Sequence, residues 1–266
     1  MNEIADSYLN MEANEEAFCS IWADRIRFYK DVSLFINRKL PSDYFYNRLN
    51  LCKAEISCEV LRKAEYLFFM SNMNCYAYVH EENADIQRRL IRAGYIWIDT
   101  MDVMTLSREP DLDYTNKANT DAPVFKVKNV DIPSWVRTLC ESFEMLEMQT
   151  EIKQRVERHF DKLILLISYV CSGLSHPQPG GCCALFINHG IIGLYCLGTI
   201  PKFRGKGIAR KMVASGLQYA FNYDLDYLLL QTFESQDLFS FYSKFGFKLA
   251  YKKRVFEKKY QNGLKL

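Results

Sequence analysis

Leu197-Gly198-Thr199-Ile200-Pro201-Lys202-Phe203-Arg204-Gly205-Lys206-Gly207-Ile208-Ala209 leaves a strand, turns through two glycines set among cations, and enters a helix. The opening turn of a helix carries backbone N–H groups without intrahelical acceptors and a partial positive charge of roughly half a unit, so a glycine turn at that point can cradle a diphosphate. Arg204, Lys206, Arg210 and Lys211 add to the field. Taken bare, R-G-K-G is equally an ordinary strand-to-helix turn with solvated cations. Two nucleotide motifs fail on spacing. A P-loop needs a hydroxyl residue after its Gly-Lys, and Gly207 stands there; a dinucleotide turn needs a third glycine, and position 210 is Arg.

Outward from this run, Cys182 to Ile187 and Ile191 to Ile200 read as strands, and Asn188-His189-Gly190 between them predicts an antiparallel hairpin. Downstream, Ile208, Met212, Val213, Gly216, Leu217 and Ala220 share a helix face; Tyr227 to Phe233 reads as a buried strand, Gln236 to Phe245 as a helix and Phe247 to Phe256 as a last strand. Upstream come a strand at Val124 to Val130, a turn at Asp131-Ile132-Pro133-Ser134 opening a helix, a second helix at Glu151 to Phe160, and a strand at Leu163 to Val170. Earlier still, the spacing predicts a helix over Glu15 to Lys30, a strand within Glu65 to Tyr78, a helix capped by Asn83 and ended by Gly94, and a strand over Tyr95 to Leu106. Ser107 to Pro123 alone has linker composition, which places a boundary there. The pattern is that of a mixed α/β layer.

With 266 residues, 49% hydrophobic and 25% charged, the chain has room for one large or two ordinary domains of about 150 residues and is not of disordered or fibrous type. A net charge of +2 gives no whole-chain reason to bind nucleic acid. The charge is unevenly placed: Pro201 to Leu266 holds 13 basic against 5 acidic residues, leaving 21 against 27 upstream. The acidic start, Met1 to Asn14, has no signal-peptide character, and no apolar run approaches the ~20 residues that span a bilayer, so a cytoplasmic protein without membrane contact is expected. Nine cysteines without a C-x-x-C pair predict reduced thiols and no metal.

These residues resemble the GNAT superfamily of acyl-CoA-dependent N-acyltransferases. Its signature, Arg or Gln, two residues, Gly, one residue, then Gly or Ala, is met by Arg204, Gly207 and Ala209. Phe241-Tyr242-Ser243-Lys244-Phe245-Gly246-Phe247 is similar to the family's later Leu-Tyr-x-x-x-Gly-Phe segment, and a helix and a strand fit between the two motifs. The resemblance covers about Val124 to Tyr260. Leu90-Ile91-Arg92-Ala93-Gly94-Tyr95 echoes the later segment, but no R-x-x-G-x-A precedes Arg204, so the first half looks like a degenerate copy that does not bind CoA. The implied architecture is the acyl-CoA N-acyltransferase fold in two tandem GNAT-like domains, 1–115 degenerate and 116–266 catalytic.

The resemblance implies acetyl transfer from acetyl-CoA to a primary amine, borne by a small molecule or a protein, by direct attack in a ternary complex. It assigns the thioester carbonyl to the backbone near Leu197 and Thr199, the diphosphate to Arg204, Gly205, Lys206, Gly207, Ile208 and Ala209, and the general acid to Tyr242. The family often has Asn seven residues before this Tyr; here Ser235 stands there, which implies a weaker or water-mediated contact to the pantetheine or phosphate arm. The competing reading of Tyr242 is a ring packed among Phe239, Phe241 and Phe245. No base is identifiable. Glu141, Glu144 and Glu147 are spaced to share a helix face that is otherwise a solvated surface, and His159, His176 and His189 lie on expected turns or helix ends. Holding two substrates together can supply ~7–11 kcal/mol without a strong base. A non-catalytic acyl-CoA sensor and an RNA-binding basic C-terminus are the alternatives; the latter is more simply a solvated edge strand. Acceptor identity and oligomeric state are not legible.

Overall fold

Two residues in the left-handed region, His189 (φ 51°) and Gly190 (φ 70°), close the expected hairpin between β8 (Gln178–Asn188) and β9 (Ile191–Thr199) in the computed structural model, which describes residues 2–29, 32–51, 56–107, 122–171 and 176–260. Positive φ at both turn positions matches the right-handed twist of the flanking strands. The boundary expected at 115/116 and most of its linker lie outside the described residues.

The chain forms two compact units, each discontinuous in sequence. The larger comprises Met1–Glu15, Thr105–Leu230 and Tyr242–Lys248. Its strands run in the order β6 (Val124–Lys126), β7 (Ile164–Val170), β8, β9, β10 (Tyr227–Phe233), with every pair antiparallel except β9–β10. The helix α4 (Ile132–Ser142) is pinned to the sheet by Trp135. Its ring is fully buried, and its Nε1 donates to the carbonyls of Leu166 and Cys183, each at 3.1 Å. The short α5 (Gln149–Arg158) follows, and α6 (Ile208–Asn222) packs through Gly216, where a Cβ would sit 3.1 Å from Leu228. Asn14 ties the N-terminal helix α1 (Asn2–Trp22) to the hairpin. Its Nδ2 donates to the carbonyls of Phe186, Asn188 and Ile191, and its Oδ1 accepts from the Tyr195 hydroxyl at 2.8 Å.

The smaller unit comprises Glu16–Met104, Gln231–Phe241 and Leu249–Leu266. Its strand order is β1 (Asp24–Tyr29), β2 (Val32–Ile36), β3 (Arg48–Asn50), β4 (Cys75–His80), β11 (Lys248–Lys258), β5 (Ile96–Ser107). Its core gathers Leu34, Leu49, Phe68, Ala77, Leu90 and Phe256, all at most 1% exposed. Both halves run the same element sequence: three antiparallel strands, a helix, a strand parallel to the third, a helix, a strand. In one it is β1-β2-β3, α2 (Cys58–Phe69), β4, α3 (Ala84–Arg92), β5; in the other β7-β8-β9, α6, β10, α7 (Phe239–Ser243), β11.

Three expectations are corrected. The first helix occupies Asn2–Trp22 and gives way to β1, because Ile26 fits both helical and alternating periods and pairing with β2 decides. The strand expected within 65–78 is present from Cys75, and the apolar run Leu67-Phe68-Phe69 before it belongs to α2, capped by Ser57. The strand expected over Val124 to Val130 stops at Lys126, and the helix expected over Gln236 to Phe245 is a 3₁₀ turn followed by α7. The caps at Asn83 and Gly94 are as expected: the Asn83 side chain accepts from Ile86 N at 3.2 Å, and Gly94 has φ 88°.

Candidate functional site

The end of β9 is irregular. Ala184 pairs with Tyr195 and Cys182 with Gly198, so one residue of β8, Cys183, faces two of β9, Cys196 and Leu197. This is a β-bulge, which leaves backbone groups out of the ladder and re-aims the strand. Cys196 carries the distortion at φ 53°, and no glycine or proline at 196–197 announces it in the sequence. The parallel ladder with β10 joins Leu228 to Ile192 and Leu229 to Gly193 and goes no further. Leu197 and Thr199 are therefore half-buried on a stretch of β9 held by β8 alone.

Beyond β9 the chain is anchored by Phe203, which is 6% exposed and packed with Ala122, Ile200 and Ile208. Lys202 and Lys206 lie over its ring at 4.8 and 5.3 Å, so one buried aromatic holds two ammonium groups at the turn. Gly205 (φ 78°) and Gly207 (φ 77°) then reverse the chain into α6, and a Cβ built on Gly205 meets nothing within 4 Å. Gly207 caps α6 without a side chain. Lys211 is the first residue to donate back, to Gly207 O at 3.2 Å; the amides of Gly205 to Arg210 find no acceptor among the described residues. Arg210 is steadied over the Phe245 ring at 5.2 Å. The Arg204 side chain takes another course: its Nε donates to Thr199 O (3.3 Å) and its Nη2 to Ser142 O (3.1 Å).

Tyr242 is 8% exposed at the end of α7, and burial pushes its phenol up to about 12. Its ring meets Phe247 edge-on, with centroids 5.8 Å apart. Phe239 and Phe241 are partly exposed, whereas Phe245 and Phe247 are buried. Gly246 (φ 88°) turns the chain so that Phe247 N returns to Tyr242 O at 3.3 Å. In the smaller unit, Ser235 donates through its hydroxyl to Asp99 Oδ2 at 2.6 Å, and Tyr44, raised to about 12 mainly by burial, donates to the same oxygen.

The three glutamates do not form one helical row. The helix ends at Ser142, Glu144 has φ 57°, Glu147 sits in a 3₁₀ turn, and Glu141 is paired with Arg137 at 2.7 Å. His159 ends α5; burial, then Lys162 and Arg158, hold its imidazole below the usual value. Burial raises the thiols of Cys140, to about 11, and of Cys182 and Cys183. Among the described residues no three His, Cys, Asp or Glu converge as metal ligands, and no helix is long and apolar enough to cross a membrane.

Residues 133–247, from the second residue of α4 to Phe247, match the sequence profile of the acetyltransferase (GNAT) family. They are a GNAT domain. The fold of the chain is likewise that of solved GNAT proteins. A GCN5-related N-acetyltransferase from Kribbella flavida is 12% identical with a TM-score of 0.65, over 94% of this chain and 95% of that one. A GCN5-related N-acetyltransferase from Sphaerobacter thermophilus is 12% identical with a TM-score of 0.63, over 97% and 91%. A tandem GNAT protein from the clavulanic acid biosynthesis pathway is 9% identical with a TM-score of 0.60, over 85% and 77%. No protein of curated function matches the sequence. Within the GNAT domain, the profile spans the bulged strand, the glycine turn and Tyr242, and its family typically uses acetyl-CoA.

Proposed function

We propose that the protein transfers an acetyl group from acetyl-CoA to a primary amine by direct attack, and that the 116–266 half carries the activity. One observation carries this reading: the unaccepted amides of Gly205 to Arg210 at the start of α6, set among Lys206, Arg210 and Lys211 and preceded by a bulged strand. Six donors without acceptors, on a turn with open space over Gly205, suit the oxygens of a diphosphate. The corresponding helix of the first half is built differently. The Ser57 hydroxyl caps α2 by accepting from Val60 N at 3.3 Å, and Glu59 puts a carboxylate in the first turn, so an anion is met there by a filled cap and a like charge.

Acetyl-CoA supplies the activated acyl group. In this reading the backbone of Leu197, in the bulge, and of Thr199, beyond the end of the β10 ladder, orients and polarises the thioester carbonyl. Gly205, Lys206, Gly207, Ile208 and Ala209 hold the diphosphate, and Arg204 belongs to the same turn. The amine nitrogen forms the new C–N bond at the carbonyl carbon and loses a proton to solvent, the C–S bond breaks, and Tyr242 gives a proton to the departing sulfur and is reprotonated from solvent, leaving an amide and the free thiol. A phenol raised by burial is fully protonated at neutral pH, as a donor must be. Ser235 is assigned to the pantetheine arm by the resemblance. The amine acceptor is a small molecule or a protein side chain.

Calorimetry with CoA tests the reading. The wild type should bind, and Gly207→Glu, which puts a carboxylate on the left-handed cap, should abolish binding; equal affinities would remove the diphosphate site. A panel of amines scored by free-thiol release from acetyl-CoA then identifies the acceptor.

A further inference from the structure

We infer that Arg204 is a positioning residue, a brace between the end of α4 and the end of β9, and that its charge is not what holds the cofactor. The inference rests on the acetyl-transfer reading above and deepens it. Its guanidinium spans two backbone carbonyls from different elements: Nη2 donates to Ser142 O, in the last turn of α4, and Nε donates to Thr199 O, the last residue of β9. A planar guanidinium presents several N–H groups in a fixed fork, so one side chain can hold both carbonyls at once, and a cation suits the negative end of a helix. With both groups so committed, the side chain is drawn back toward β9, while the unaccepted amides begin only at Gly205.

A second feature joins the same two elements. Gly198 lies directly beneath the end of α4: a Cβ there would stand 2.7 Å from Ser142 Cβ and 3.0 Å from Phe143 Cε2. The absence of that carbon lets α4 seat on β9, and Arg204 bridges the same two elements. Gly198 is flanked by Leu197 and Thr199, the residues assigned to the thioester carbonyl, so movement of α4 against β9 is movement of the reacting geometry. Misplacement by about 1 Å costs on the order of 100-fold in rate.

The experiment compares wild type, Arg204→Lys, Arg204→Met and Gly207→Glu in three measurements. These are CoA affinity by calorimetry, amide hydrogen exchange at residues 139–145, and thiol release from acetyl-CoA with the best amine of the panel or, without one, with water. Lysine keeps the charge but cannot bridge two carbonyls; methionine keeps neither. Both Arg204 variants should hold CoA within about fivefold of wild type, the scale of one exposed charge. Both should exchange faster at 139–145 and release thiol about 10- to 100-fold more slowly. Arg204→Lys matching the wild type in exchange and rate, or Arg204→Met losing CoA as Gly207→Glu does, overturns the brace. If Gly207→Glu binds CoA normally, the diphosphate reading fails instead, while exchange at 139–145 in the Arg204 variants still decides whether the brace exists.

Discussion

At Tyr242 the environment does more than the residue type. Burial favours the neutral phenol and raises its ionisation to about 12. The sign of the pH effect follows. Between about 10, where the unfolded chain loses this proton, and about 12, the folded state alone retains it, so its contribution to stability is present below that window and is lost as pH rises through it. Turnover should therefore show no alkaline limb from Tyr242 below about pH 11, and Tyr242→Phe should lower kcat about 100-fold with CoA affinity kept. A wild-type rate in that variant would exclude the acid role. The glycines give a second contrast. Gly198→Ala should lower stability in urea by about 1–3 kcal/mol because its Cβ collides with Ser142. Gly205→Ala has open space and should cost only about 1 kcal/mol, through its left-handed backbone. Equal costs would mean that α4 does not seat tightly on β9.

Among the elements, the two helices that follow a third strand show what a cap decides. In α2 the Ser57 side chain caps its own helix; in α6 Gly207 has no side chain to cap with, and the first amides find no acceptor among the described residues. On the acetyl-transfer reading proposed above, stability is given up at α6 where binding needs open donors. The opposite economy governs α1, whose Asn14 is fully buried and spends every polar atom on the β8–β9 hairpin. Asn14→Ala removes its hydrogen bonds to three carbonyls and to the Tyr195 hydroxyl, and should cost about 2–3 kcal/mol. Faster amide exchange at 186–195 would report it, and unchanged protection there would show that the helix contributes no clasp. None of this was visible as periodicity. Asn14 sits on a helix whose apolar spacing is read from Ala17 onward, and only the folded hairpin reveals the acceptors it meets.

For the whole molecule, chain order and compact units do not coincide: β11 closes the chain yet belongs to the smaller unit, where it pairs antiparallel with β4 from Lys253↔His80 to Lys258↔Cys75. Phe256 on that strand is 1% exposed within the core formed by β2, β3, β4, α2 and α3. Ending the chain at Phe247 should therefore unfold residues 32–104, detected as lost exchange protection and early proteolysis; retained protection would show that unit to stand without β11. Several local features are nonetheless legible. The hairpin turn, the Asn83 cap and the helix that starts after the Gly205–Gly207 turn stand where the sequence places them, because each depends on local requirements: a positive φ that glycine meets without strain, a helix start, a turn length. The amino-acid sequence alone thus determined where the chain turns and where α6 begins. Tertiary structure decided that Cys196 takes the bulge, that Arg204 grips two carbonyls, and that β11 joins β4. Those outcomes depend on the free energy of pairing segments far apart along the chain, which no window of neighbouring residues contains.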